Sequence, residues 1–159
     1  MRGLIGADVL NTFDLSFDLP RGTMCWASAE MSVDGEVVPI DDFMGIPIIE
    51  ASIAGEKRRM FLDTGAQVSY FQDPCLGDFP PAGVLRDFFP GIGEFETQTH
   101  QVPRRIGGVG RTVRCGALPE LLGLTLAMAD VEGIVGSEFF SDRSIAYLPR
   151  RGRVVLGRS

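Results

Sequence analysis

The sequence predicts an all-β fold. Twenty glycines and ten prolines punctuate many short apolar runs, a composition that suits a chain turning often between strands better than a helical bundle. Several of those runs alternate with period two, as strands covered on one face do: Phe13-Asp14-Leu15-Ser16-Phe17-Asp18-Leu19 and Ile49-Glu50-Ala51-Ser52-Ile53. At 159 residues, 45% of them hydrophobic, the chain can bury one sizeable core and is too short for two full-sized domains.

Gly3-Leu4-Ile5-Gly6-Ala7-Asp8-Val9-Leu10 leads into the first alternating run, Pro20-Arg21-Gly22 turns the chain, and Met24-Cys25-Trp26 follows. The other end repeats this plan. Gly3 matches Gly133, Gly6 matches Gly136, Asp8 matches Glu138, Leu15 matches Ile145, Phe17 matches Tyr147 and Gly22 matches Gly152, all at an offset of 130 without a gap. Glycine, apolar and turn positions agreeing in register point to one structural unit written twice: a Gly-anchored loop, a short helix, a strand, a turn and a strand.

Ser28, Ser32, Gly35, Pro39 and Asp41-Asp42 mark residues 28–45 as a linker with a short edge strand at Val37-Val38. Ile49 to Ile53, the turn Gly55-Glu56-Lys57 and the return run Arg58 to Leu62 form a hairpin. It delivers Met60-Phe61-Leu62-Asp63-Thr64-Gly65-Ala66. A continuous apolar run reads as a strand covered on both faces, so Asp63 stands where a buried strand ends. Gly65 permits a sharp turn or close N–H donation, and Thr64 offers a hydroxyl to fix the local geometry. The same three residues also suit an ordinary surface turn, but the apolar run Val68-Ser69-Tyr70-Phe71 resumes at once behind them.

Residues 74–83 read as a Pro- and Gly-rich loop. Asp87 to Thr97 then place two β-prone arms around Pro90-Gly91-Ile92-Gly93, with Ile92 an exposed apolar residue at the tip. A second hairpin runs from Val102 to Ile106, through Gly107-Gly108, to Val109–Ala117. The run from Glu120 to Met128 fits either a helix or a buried strand. Gly133-Ile134-Val135-Gly136 precedes the closing strands Ile145–Leu148 and Val154–Leu156, and glycine is needed where two backbones approach closely.

Phe61-Leu62-Asp63-Thr64-Gly65-Ala66 resembles the active-site signature of the aspartic peptidases, in the form of their retroviral-type branch, the retropepsins. The order of acid, Gly-tipped hairpin, second hairpin and closing apolar-apolar-Gly element is similar to that family over about residues 46–159. The resemblance implies a retropepsin- or pepsin-like closed β-barrel lobe with one or two short helices. It gives Asp63, Thr64 and Gly65 catalytic positions, Ala66, Gly91, Ile92, Gly93 and Phe95 substrate-binding ones, and the 87–97 hairpin the role of a flap. With the repeat, it makes residues 1–27 the tail of a preceding lobe, 28–45 a linker and 46–159 a lobe of its own, unless the first segment serves another purpose such as an intersubunit sheet.

Amide hydrolysis by carboxylates needs two of them: one deprotonates a water while the other protonates or hydrogen-bonds the carbonyl oxygen. The chain has a single Asp-Thr-Gly, and Asp130 and Glu132 lack the turn residues that would present them. A site therefore requires Asp63 from each of two chains across a two-fold axis, with residues 150–157 and 13–26 available for a shared sheet. A polypeptide substrate would lie extended between flap and acids, with Ile92, Phe95 and Val135 favouring apolar residues beside the cut bond. The alternatives are a catalytically silent binding or dimerisation module on this fold, or one half of a truncated two-lobe protease.

Other chemistries find little support. Cys25, Cys75 and Cys115 are too widely spaced for a zinc site and odd in number for a disulfide framework, and His100 is the sole histidine, so no metal or other cofactor is expected. Gly107-Gly108-Val109-Gly110 lacks the lysine of a phosphate loop. A net charge of −6 argues against nucleic acid or an anionic membrane as partner, and the pairs Arg58-Arg59, Arg104-Arg105 and Arg150-Arg151 read as solvated strand ends. No apolar run reaches the ~20 residues of a membrane helix, and Asp8 and Asn11 interrupt any signal-like segment. The expectation is a cytoplasmic protein, with export open if the true start lies upstream.

Overall fold

Strands form where the apolar alternation is strongest, and tight turns link them. A computed structural model describes residues 5–89 and 92–158. In chain order it contains α1 (Ala7–Leu10), β1 (Asp14–Asp18), β2 (Thr23–Ala27), β3 (Glu36–Phe43), β4 (Ile46–Ile53), β5 (Glu56–Leu62), β6 (Ser69–Phe71), β7 (Pro81–Phe89), β8 (Gly93–Ile106), β9 (Val109–Gly116), α2 (Glu120–Met128), β10 (Gly133–Val135), β11 (Ser144–Leu148) and β12 (Arg153–Leu156), with 3₁₀ turns at Pro74–Asp78, Ser137–Phe140 and Pro149–Arg151. The ambiguous run after Pro119 is thus helical. β4 buries Ile48, Ile49, Ala51 and Ile53, and β5 becomes wholly buried over Met60, Phe61 and Leu62.

The strands join in the order β2-β1-β11-β12-β3-β4-β5-β10-β6-β9-β8-β7. The sheet is mixed and mostly antiparallel, with β10 parallel to β5 and β6 parallel to β9. The expected closed barrel is not formed. Among the described residues the sheet keeps two open ends, β2 and β7, and β4 touches β8 over two residue pairs, Ser52 with Arg105 and Ile53 with Arg104, which folds the sheet back on itself without closing it. β3 supplies the reason. The edge strand expected at Val37-Val38 is an eight-residue interior strand that pairs Glu36–Pro39 with β12 and Ile40–Phe43 with β4, so it carries the sheet outward from β4.

Two main apolar clusters fill the layers, and a small third one joins Ala146, Leu148 and Val155 under Met31 and Val33. The larger includes Leu15, Ile49, Met60, Phe71, Val113, Val135, Phe139 and Leu156. The smaller gathers Ile48, Phe61, Val68, Tyr70, Leu118, Leu126 and Ile134 beside α2.

Three elements of the internal repeat have counterparts at the offset of 130. α1 corresponds to the Ser137–Phe140 turn, β1 to β11 and β2 to β12. Gly6 (φ −80°, ψ 168°) and Gly136 (φ −85°, ψ 172°) precede the two helical turns in nearly the same conformation. Gly22 and Gly152 occupy the left-handed region at φ 63° and 58°, where a side chain would be strained. β1 pairs antiparallel with β11 so that Ser16 faces Ala146, its own counterpart at 16 + 130. A local two-fold axis therefore passes between the copies.

Polar contacts lock the first copy in place. Tyr147 Oη donates to Asn11 Oδ1 at 2.6 Å, and Asn11 Nδ2 donates to the Gly45 carbonyl at 2.8 Å. Asp14, fully buried, accepts from the Met31 N–H at 2.8 Å and pairs with Arg150 and Arg151. The second and third arginine pairs are therefore not simply solvated strand ends: Arg150 and Arg151 hold Asp14, and Arg104 is buried. In the first pair, Arg58 joins Glu56, Asp73 and Glu132.

Burial pushes the Asp14 carboxyl up, but the Met31 N–H and the two guanidinium groups outweigh it and hold the group below the usual carboxylate range. Its contribution to stability is complete above the unfolded-state pKa of about 3.9 and is lost as pH falls through the lower folded-state value. Breaking a buried pair costs on the order of 3 kcal/mol. Thermal melting across pH should show Asp14→Asn less stable than the wild type at neutral pH and converging with it in acid; parallel curves would show that Asp14 carries no such linkage.

Candidate active site

Asp63 sits at the point where β5 leaves the sheet, and its position is set from behind by β10. Ile134 lies beside Phe61 and Val135 beside Leu62 in parallel register, while Ile134 also pairs with Tyr70 of β6. The Asp63 N–H donates to the Val135 carbonyl at 3.1 Å. The Ala66 N–H donates back to the Asp63 carbonyl at 3.2 Å, and the Ala66 carbonyl accepts from both the N–H and the hydroxyl of Ser137, at 2.8 and 3.1 Å. Gly136 N–H donates to the buried Ser69 Oγ at 3.1 Å. Only glycine fits at 136: a Cβ there would stand 2.2 Å from the Val68 carbonyl oxygen and 2.8 Å from that of Ala66.

The carboxylate itself is oriented by its own loop, with Gly65 N–H donating to Asp63 Oδ1 at 2.8 Å. Asp63, Thr64 and Gly65 are exposed and Ala66 half-buried. The loop is therefore held firmly at its back and open at its front, and hollows lined by Asn11 and Tyr147, or by Glu36 and Arg143, do not include Asp63 in their walls. Among the described residues no group of three His, Cys, Asp or Glu side chains is placed to hold a metal ion.

The 87–97 segment is part of a longer hairpin, β7 with β8, whose arms pair from Pro81 with His100 to Phe89 with Gly93. Pro90 and Gly91 lie outside the described residues. Ile92 N–H donates to the Phe89 carbonyl at 3.1 Å, and Ile92, Gly93 and Phe95 are half-buried. Phe95 packs against Tyr70 with ring centroids 6.2 Å apart, and Leu85, Phe95 and Ala66 all rest on the smaller apolar cluster. Val135 is fully buried, so it supports the loop and is not a wall open to substrate.

Two interactions escaped the sequence reading. Tyr70 Oη donates to Asp87 Oδ2, tying the hairpin to the strand behind Asp63; burial first and this bond second push the phenol's pKa up. Arg104, 2% exposed, reaches the Ile134 carbonyl at 3.3 Å, the Tyr70 carbonyl at 3.5 Å and Cys115 Sγ at 2.9 Å, so one guanidinium joins β8, β10, β6 and β9 behind the site. The phase of β8 contained the signal, because Val102, Arg104 and Ile106 share its inward face.

No family model matches the chain, and no curated protein matches it. Among solved structures, the solution structure of simian foamy virus (mac) protease is similar at 18% sequence identity over 57% of this chain and 88% of that one, with a TM-score of 0.42. This is a weak, partial structural similarity to a retroviral protease fold, and no residue role is carried across from it. No helix among the described residues is long and apolar enough to cross a membrane.

Replacing Tyr70 by Phe should lower stability by about 1.5–3 kcal/mol, the range for a hydrogen bond to a charged group, and speed amide exchange across residues 84–98. Unchanged exchange there would show that the Tyr70–Asp87 bond does not hold the hairpin.

Proposed function

We propose that the chain supplies one carboxylate of an aspartic-peptidase site and acts on polypeptides once a second lobe of the same kind supplies the other. The observation that carries this reading is the Asp63 loop, rigid at its back through Val135 and Ser137 and open at its front. A loop that merely turned the chain would not need a buried strand and a sterically obligatory glycine behind it. Two carboxylates brought close together cannot both ionise, as is general for aspartic proteases, and the shared proton lets one act as base and the other as acid.

In this arrangement Asp63 activates water or holds the substrate carbonyl. Gly65 orients its carboxylate, and Thr64 stands at the face where the two lobes meet. Ala66, Ile92, Gly93 and Phe95 border the path of an extended peptide, and the β7–β8 hairpin covers it. Two copies of this chain meeting Asp63 to Asp63 are one such assembly. A second reading, a silent binding module on this fold, is favoured by two observations: Asp63 is exposed, and the chain carries a single Asp-Thr-Gly.

The test is cleavage of an unfolded polypeptide at rising protein concentration, with wild type and Asp63→Asn compared. The expected outcome is a rate per chain that rises with concentration and falls by about 10²–10⁴-fold in the variant, the scale of a positioned acid–base group. Equal rates in the two proteins would remove Asp63 from catalysis, and absence of cleavage from a folded, associated chain favours the silent module.

A further inference from the structure

The two copies of the repeat share a backbone but differ in what covers them. In the second copy, Val135 is 0% exposed, Val154 0% and Leu156 1%; their counterparts Ile5, Met24 and Trp26 are 55%, 37% and 42% exposed. The cover over the second copy is known residue by residue. β3 lies along the outer edge of β12, placing Val38 opposite Val154 and Glu36 opposite Leu156, and the 66–68 backbone closes on Gly136. Among the described residues the first copy has neither: β2 ends the sheet, and the atoms a Cβ on Gly6 would meet are those of the Asp8 side chain.

From this asymmetry we infer that residues 5–27 are the closing unit of a second lobe, whose body, equivalent to residues 28–130, docks on the outer edge of β2 and on Gly6. Subtracting 130 from the β12–β3 register gives the arrangement: a strand antiparallel to β2, with a residue in the role of Val38 opposite Met24 and one in the role of Glu36 opposite Trp26. An open strand edge bearing exposed apolar side chains is a surface that proteins ordinarily cover. The local two-fold between Ser16 and Ala146 then relates the two lobes, and the Ile5 carbonyl takes the place that the Val135 carbonyl holds for the Asp63 N–H.

The occupant is a lobe without a closing unit of its own. A second copy of this chain is a poor occupant of the β2 edge, because its own β3 is already paired with its β12. Docking of this kind is independent of whether Asp63 cleaves peptides.

The test joins residues 28–130 directly ahead of residue 1 of the full chain. Trp26 is the sequence's sole tryptophan and the added segment brings none, so it reports on the β2 edge alone. The expected result is a monomer in which Trp26 emission shifts to shorter wavelength and the outward amides of residues 23–27 become protected from exchange. Met24→Arg should undo both changes in the fusion and leave the 159-residue chain folded as before. An added segment that stays unfolded, or one that folds and leaves Trp26 and β2 as they were, overturns the inference. So does the unextended chain associating with itself through a protected β2. Docking without cleavage would count against the peptidase reading alone, and cleavage with β2 still bare against the docking alone.

Discussion

The parallel pairing of Ile134 and Val135 with Phe61 and Leu62 is the constraint on which the rest of the molecule depends. A strand entering between β5 and β6 fixes where β5 must end, and Asp63 is the first residue past that end. Because β10 lies so close behind residues 66–68, position 136 has no room for a side chain, and the chain must then leave through the 3₁₀ turn at Ser137–Phe140. That exit sets the direction of β11 and β12, and through them of β3. The loop that carries the acid and the strands that carry the sheet outward are thus consequences of one backbone approach.

The second organising feature is the copy of that exit at the other end of the chain. β1 on β11 reproduces a two-fold relation within a single polypeptide, and the buried Asp14 with its arginine partners secures it. An ion pair of this kind adds little net stability compared with an apolar core contact, but it penalises any register that leaves the carboxylate unpaired. The result is a sheet whose interior is specified twice, once by the buried apolar residues of β1, β11 and β12 and once by charge. Its open end at β2 is an outcome of the same arrangement.

Much of this was legible in the residues. The run Met60-Phe61-Leu62 announced a strand covered on both faces, the spacing of Gly6 and Gly136 announced the repeat, and Gly55 and Gly107 located hairpin turns. What the sequence hid were features set by partners distant in the chain. Barrel closure depends on whether β3 extends the sheet or lets β4 curl, and the Pro39 and Asp41-Asp42 of β3 look locally like linker. Arg104 reads as solvated until its phase with Val102 and Ile106 is weighed above its charge. Tyr70 and Asp87 belong to separate apolar and polar stretches, and nothing local joins them. Val135 looked like a pocket wall because its apolar character is the same whether it faces substrate or core.

For Asp63 to be presented as described, its loop must be held from behind. Amide hydrogen exchange at Asp63 and Ser137, whose N–H groups donate to the Val135 and Ala66 carbonyls, measures this directly. Protection of both amides on the scale of global unfolding is the expected result. Exchange at the rate of an unstructured peptide, while the amides of β4 and β8 stay protected, would contradict it, because the loop would then be a surface turn with no seat behind it.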